Sequence, residues 1–369
     1  MRVVFACAGT GGHINPAIAI ANIIKKKEKS DILFLGRENG LENELVSKAG
    51  FEIKHIRTGK ILRSFTFKNV HALFNAYKGV KDSKKILLEF KPDIVIGTGG
   101  YICIPVMFAC QKLHIPYILH ESNAIAGVSI KVLAKKAAKV LLGFENTKIK
   151  SKNTKYTGTP TKFDETTMNN LNKNKCRQLF NIDINKKVVL VTCGSQGARN
   201  INNTILDMLR SHLSNKFFIV LIAGSANYED VLGLKEQVER ENNINLDEYI
   251  KIIKFVYEMQ NIYKIADMCI TRAGAMTICE LAIAHLPAIL IPLPNAAENH
   301  QFYNAKILEN ANVAKIIEEK DLNSQMLYNQ ILNMLDEKNL EKMKKRSLDI
   351  DTKQIEEKIY TQICNIVKK

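Results

Sequence analysis

The sequence has little of several things that would fix a function at once. Its eight cysteines (Cys7, Cys103, Cys110, Cys176, Cys193, Cys269, Cys279 and Cys364) are scattered. No two stand as Cys-x-x-Cys, and several lie inside apolar runs, as reduced buried cysteines do. No apolar run approaches the roughly 18 residues of a membrane-spanning helix. The opening MRVVFACA reads as a strand, without a charged-then-apolar leader, and the expectation is a cytoplasmic protein. Arginine is scarce, 10 of 53 basic residues. No arginine or aromatic motif for nucleic acid is present, so no nucleic-acid partner is expected. The net charge of +16 then has other sources. A Lys/Asn/Ile bias of AT-rich coding is one; an anionic membrane surface or a phosphorylated substrate is another. No glycine loop ends in Gly-Lys-Ser/Thr, which disfavours ATP hydrolysis, and GTGGHI lacks the third glycine of a dinucleotide fingerprint.

What is there is an α/β grammar, written twice. At 369 residues, 46% of them hydrophobic, the chain exceeds a single core and calls for two domains. In the first half RVVFACA, DILFLG, GFEIKHI, DIVIGTGG, PYILHES and KVLLGF read as strands without clean alternation, as strands covered on both faces do. Helices fill the gaps. The first is predicted to start with Asn15 as N-cap and Pro16 in first position. A polar break spans 156–175, and the pattern then restarts with KVVLVTCGSQGAR, KFFIVLIAG, YIKIIKF, DMCITRAGAMTICEL and PAILIPLP. Two Rossmann-like, doubly wound parallel-sheet domains are predicted, with strand ends facing a deep cleft. The boundaries are 1–160 and 161–339, with a C-terminal helix at about 340–369 packing back on the first.

The glycine turns carry the chemistry. VFACAGTGGH at 4–13 and IGTGGY at 96–101 repeat one turn in one half, each after an apolar strand. Either there are two phosphate-sized tasks, or one large ligand is gripped from two sides. Glycine lets backbone N–H groups approach an anion, and the following helix start adds partial positive charge. Gly194–Gly197 and RAGAMT at 272–277 repeat the arrangement in the second half. Glu280 either complements its helix N-terminus or accepts two ribose hydroxyls. Glu298, Asn299, His300, Gln301 and Asn304 follow a proline-marked loop. Amides both donate and accept, which suits sugar hydroxyls, and the alternative is a solvated helix start.

Read together and in order, GTGGHINPAIAIA, GTGGYICIPV, HESNAIAG, GTP at 158–160, GSQGAR, RAGAMTICEL and ENHQFYNA resemble the MurG-type peptidoglycan N-acetylglucosaminyltransferases, inverting enzymes of GT-B architecture. The resemblance implies transfer of N-acetylglucosamine from UDP-N-acetylglucosamine to the 4-hydroxyl of the muramic acid of lipid I, giving lipid II and UDP at the cytoplasmic membrane face. It implies that Ser195 and Ala275, Met276 and Thr277 hold the donor diphosphate, Glu280 the ribose and Val256 the uracil. Gln301 and Asn304 would read the sugar, while Thr10, Gly11, Gly12 and Asn123 close over the donor. Gly9, Thr98, Gly99, Gly100 and Tyr101 would face the acceptor diphosphate. Where many members carry arginine after Gly-x-Pro, this chain has Lys162, a point charge without the planar fork. Cell-wall synthesis or division proteins are the implied protein partners.

An inverting transfer needs a base, for which His13 and Glu121 are the candidates; His13 has a capping or acceptor-phosphate contact as its alternative role. The one Asp-x-Asp, Asp349 to Asp351, sits in a charged helix and reads as surface, so neither a cofactor nor an essential metal is expected. Ile61, Leu62, Phe65, Phe67, Leu73, Phe74 and Tyr77, interleaved with lysines, suit docking on an anionic membrane surface; the alternative is an ordinary half-buried helix pair.

Overall fold

The computed structural model describes residues 1–59, 67–182, 186–194, 197–346, 348 and 350–368, with 67–73 described as backbone alone. The chain divides into two compact units, Met1–Lys162 with Asp351–Lys369, and Phe163–Ile350.

In the first unit strands and helices alternate: β1 (Arg2–Ala6), α1 (Gly11–Lys27), β2 (Asp31–Gly36), α2 (Leu41–Lys48), β3 (Glu52–His55) and α3 (Phe67–Phe90). Then come β4 (Ile94–Gly97), α4 (Cys103–Leu113), β5 (Tyr117–Glu121), α5 (Val128–Leu133), β6 (Lys139–Leu142) and β7 (Thr154–Tyr156). The strands form one parallel sheet in the order β3-β2-β1-β4-β5-β6-β7. Its central strands read as continuous apolar runs because both faces are covered; every residue of β4 and β5 is buried. Phe5 and Phe34 stack across β1 and β2 at 4.9 Å.

The second unit opens with α6 (Glu165–Asn170), inside the polar break at 156–175, and α7 (Lys173–Leu179), which begins at its end; both pack on a later helix, α10. Asp164 and Asn172 cap them, which is how so polar a stretch becomes helical. The unit continues with β8 (Lys187–Thr192), α8 (Arg199–Ser211), β9 (Phe217–Ile222), α9 (Tyr228–Asn242), β10 (Ile250–Ile253), α10 (Met259–Ile265) and β11 (Met268–Thr271). It ends with α11 (Ala275–Ile283), β12 (Ala288–Leu290), α12 (His300–Asn310), β13 (Ala314–Ile316), α13 (Ser324–Leu335) and α14 (Glu337–Lys345). Its parallel sheet runs β10-β9-β8-β11-β12-β13. Buried Asp267 pins the base of this sheet, accepting from the Val188 amide at 2.8 Å and from Lys173 at 2.9 Å. The last helix, α15 (Thr352–Val367), belongs to the first unit, where Ile359 and Ile363 are fully buried.

The helix start predicted at Asn15 lies further upstream. Thr10 is the N-cap of α1, its carbonyl accepting from the amides of His13 at 3.0 Å and Ile14 at 3.2 Å. Pro16 therefore stands inside the helix. It removes one hydrogen bond, to the carbonyl of Gly12.

Candidate active site

In an open parallel sheet, ligands bind beyond the carboxyl ends of the strands where the winding direction reverses. In the first unit that point lies between β1 and β4, which pair in register with Ala6 opposite Gly97. The loops that leave these two strands are the two Gly-Thr-Gly-Gly turns, so the repeated motif is one paired structure. Gly9 (φ 104°), Gly99 (φ 107°) and Gly100 (φ 82°) adopt left-handed backbone that favours glycine. A Cβ on Gly100 would lie 2.5 Å from the carbonyl oxygen of Ala8, and one on Gly99 2.7 Å from Nδ1 of His13. The turns are stitched together. The Thr98 hydroxyl donates to the His13 carbonyl at 2.6 Å, and His13 Nδ1 lies 3.2 Å from the Thr98 carbonyl. A carbonyl oxygen only accepts, so Nδ1 carries the hydrogen and Nε2 is the basic nitrogen. Thr10 stands exposed at the α1 N-cap without a side-chain capping bond, and Gly11 and Gly12 form the first helical positions. Tyr101 follows the second turn; burial raises its phenol pKa.

Next along the sheet edge, Glu121 ends β5 and is almost wholly buried. One carboxylate oxygen accepts from the amide and the side-chain nitrogen of Asn123, both at 2.9 Å, and the other from the Gly127 amide at 2.7 Å. Burial pushes its pKa up, and the three hydrogen bonds pull the other way. Glu121 thus shapes the HESNAIAG loop that carries Asn123. Beside it, fully buried His120 lies 3.2 Å from the Gly158 carbonyl through Nε2 and 3.3 Å from Ser122 Oγ through Nδ1. Burial lowers its pKa to about 4, so it is neutral at physiological pH.

The second unit reverses its winding between β8 and β11. The loop after β8 has left-handed Gly194 (φ 80°) and Gly197 (φ 73°). Ser195 lies between them, outside the described residues. After β11 comes Arg272-Ala273-Gly274, with Gly274 as N-cap of α11, so Ala275, Met276 and Thr277 form a first turn whose amides have no helical acceptor. This turn is held from behind by α12. Gln301 Oε1 accepts from the amides of Ala273 at 3.2 Å and Leu293 at 3.0 Å, and fully buried Asn304 donates to the Ala273 carbonyl at 3.1 Å. Arg272 donates to the carbonyls of Ile291 (3.2 Å) and Pro292 (3.3 Å) and pairs with Glu319. Two turns into α11, Glu280 accepts from the Tyr263 hydroxyl at 3.1 Å. Burial and the adjacent Glu280 charge raise that phenol well above its usual pKa, so it remains a donor.

The remaining candidates are spread more widely. Val256 is half-buried after β10, between Phe255 and Tyr257, whose rings meet edge to face at 4.8 Å. Lys162 is exposed and is the last residue of the first unit before Phe163. Of the apolar-basic stretch, Ile61, Leu62 and Phe65 lie outside the described residues, and Phe67 and Leu73 lie in the part of α3 described as backbone alone. Phe74 and Tyr77 are 53% and 55% exposed, with Lys78 and Lys81 over their rings at 4.2 and 4.9 Å. No described helix is long and apolar enough to cross a membrane. Asp351 caps α15 by accepting from the Gln354 amide at 2.9 Å; Asp349 lies outside the described residues. Among the described residues, no cluster of three or more His, Cys, Asp or Glu side chains is placed to hold a metal ion. Three residues of structural consequence escape sequence reading: Tyr263, His120 in its buried role, and Glu42, whose carboxylate accepts from the Gly9 amide.

Comparison with known proteins accords with this geometry. Residues 3–142 match the glycosyltransferase family 28 N-terminal domain and residues 188–360 its C-terminal domain. A protein of Caldanaerobacter subterraneus subsp. tengcongensis named UDP-N-acetylglucosamine--N-acetylmuramyl-(pentapeptide) pyrophosphoryl-undecaprenol N-acetylglucosamine transferase is 38% identical, over 99% of this chain and 100% of its own. One of the same name from Thermoanaerobacter sp. is 40% identical over the same shares. Among solved structures, MurG of Acinetobacter baumannii superposes with a TM-score of 0.76 at 26% identity, covering 98% of this chain and 99% of that one. The UDP-GlcNAc 2-epimerase of Methanocaldococcus jannaschii shares the fold, with a TM-score of 0.62 at 17% identity over 99% and 100%. With both family domains in order and relatives matched from end to end, the chain belongs to glycosyltransferase family 28.

Proposed function

We propose that this protein transfers N-acetylglucosamine from UDP-N-acetylglucosamine to the C4 hydroxyl of the muramic acid of lipid I, with inversion, releasing UDP and lipid II. The observation that carries this reading is the end-to-end similarity to relatives named for that transfer. The glycine turns at both switch points support it, because both substrates carry diphosphates and amide-lined turns favour such anions.

In this reading the second unit holds the donor. The α11 N-terminus, through Ala275, Met276 and Thr277, and Ser195 stabilise the diphosphate as the sugar–phosphate bond breaks. Glu280, oriented by Tyr263, takes the ribose, and Val256 lines the uracil. Gln301 and Asn304 act on the donor sugar through the Ala273 turn that they hold. Lys162 adds a point charge to a phosphate. The first unit supplies acceptor and base. Thr98, Gly99, Gly100 and Tyr101 face the acceptor diphosphate, with Gly9 beside them; Thr10, Gly11, Gly12 and Asn123 contact the donor sugar. His13 Nε2 takes the proton of the acceptor hydroxyl as that oxygen bonds to the anomeric carbon from the face opposite the leaving UDP. Its Nδ1 contact with Thr98 sets the tautomer, while Glu121, with both oxygens bonded to its own loop, positions Asn123. No divalent cation has a role in this scheme. The exposed rings and lysines of α3 would seat the protein on the anionic cytoplasmic face of the membrane.

The test is transfer of radiolabelled sugar from UDP-N-acetylglucosamine to a short-chain lipid I in the presence of chelator. Label on the lipid with an inverted anomeric linkage is the expected result. Conversion of the donor alone, with no label transferred, would replace this reading with an epimerase.

A further inference from the structure

Behind the first glycine turn lies a carboxylate for which the scheme above has no use. Glu42, the second residue of α2, is fully buried. Its Oε2 accepts from the Gly9 amide at 3.3 Å and its Oε1 from the Arg37 amide at 3.0 Å. Two glycines clear its space. A Cβ on Gly40 would fall on the carboxylate, and one on Gly36 would lie 2.8 Å from Glu42 Cγ. The segment GRENGLE is therefore a socket, with Gly36 and Gly40 as its walls. An ionised carboxylate is costly to bury unless its oxygens are bonded, and both are. The helix start of α2 adds to its stabilisation.

We propose that Glu42 is a positioning residue that locks the first glycine turn and, through it, His13 and Thr10. Holding the Gly9 amide fixes the left-handed step at Gly9. The next residue, Thr10, then presents its carbonyl to the amides of His13 and Ile14, and this sets the direction in which α1 leaves the turn. The imidazole meets Thr98 only from that direction. A carboxylate suits the task because both its oxygens accept; a carboxamide would set an N–H group against one of the two amides. That the turn serves sugar transfer rests on the function proposed above; the lock itself rests on geometry alone.

Two variants test this by different routes. Glu42→Gln removes one acceptor, whereas Gly40→Ala leaves the charge but places a methyl group where the carboxylate sits. Gly40 has φ −90°, so alanine strains no backbone there. Amide exchange, read by mass spectrometry, should quicken about tenfold or more across residues 9–13 in both variants, with β9 of the second unit unchanged. Turnover should fall roughly 10- to 100-fold with donor KM within about twofold, the signature of a displaced reacting group. In a His13→Ala background, adding Glu42→Gln should cost less than about twofold more, because the lock acts through the turn that carries His13. Unchanged exchange at 9–13 in both variants would overturn the proposal. So would an equal fall in turnover with and without His13. If the wild-type protein transfers no sugar, the functional reading fails, and the exchange measurement alone decides whether Glu42 holds the turn.

Discussion

The two switch points solve the same problem in opposite ways. In the first unit the glycine turns after β1 and β4 are bonded to each other, Thr98 to His13 in both directions, and Glu42 pins them from beneath. In the second, among the described residues, the turn after β11 is gripped from its far side by Gln301 and Asn304 of α12. Among the described residues, a Cβ on Gly194, in the loop after β8, would meet nothing within 4 Å. In the first unit the two turns are bonded to each other; in the second, the turn after β11 is bonded to α12. In the proposed function the first pair carries the base, for which a fixed direction is the requirement, and the second the donor diphosphate.

The largest effect that would sharpen this comparison is on turnover. His13→Ala should lower kcat by about 10²- to 10⁴-fold, the usual contribution of a general base, while calorimetry finds donor affinity little altered. Turnover near the wild-type rate would remove His13 from its role. Next, alanine at matched glycines should separate the two loop pairs. Gly100→Ala combines left-handed backbone with a contact to the Ala8 carbonyl and should cost about 3 kcal/mol in urea unfolding. Gly194→Ala has the same left-handed backbone but meets no described residue within 4 Å, so about 1 kcal/mol is expected. Equal costs would end the contrast.

His120 offers a pH handle confined to the first unit. An unfolded imidazole takes up its proton near pH 6.5, the buried one only near 4, so between these values the unfolded chain binds more protons. Stability therefore falls as pH drops through that window, by about 3 kcal/mol, and a His120→Gln variant should lack this component. Parallel curves for the two proteins would show that the imidazole is not buried as a neutral group. The smallest effect concerns Tyr263→Phe, which removes one hydrogen bond to Glu280 and should raise the donor KM about three- to tenfold with kcat maintained. A fall in kcat instead would place Glu280 in the chemical step.

The sequence conveys unevenly what the structure uses. Both sheets, the strand-to-helix turns and the switch-point glycines were legible because apolar runs and glycines report local physics directly. The start of α1 was misplaced since Asn15-Pro16 imitates a helix cap, while the true cap, Thr10, sits inside the glycine motif. Glu42 was invisible: an acidic residue at the start of LENELV looks like a solvated helix face, and only the packing of Gly36 and Gly40 shows that it points inward. By residue type Asn304 and Gln301 suit a ligand's hydroxyls. The structure adds bonds from Asn304 Nδ2 and Gln301 Oε1 to backbone, which spacing along one helix does not reveal.

The return of α15 to the first unit bears on the order in which the protein is made. Helix α15 reaches back to α1 and its C-cap, through Lys26–Glu356 and Tyr360–Glu28, and Ile355 leaves no space for a side chain on Gly158. Gly158 in turn accepts from His120, the neighbour of Glu121. During synthesis the second unit has its whole sequence before the first does, although the first begins earlier. The residues that shape the HESN loop thus gain support from a helix that follows the whole second unit in the sequence, and a nascent chain halted before α15 would carry a completed second unit joined to an unfinished first.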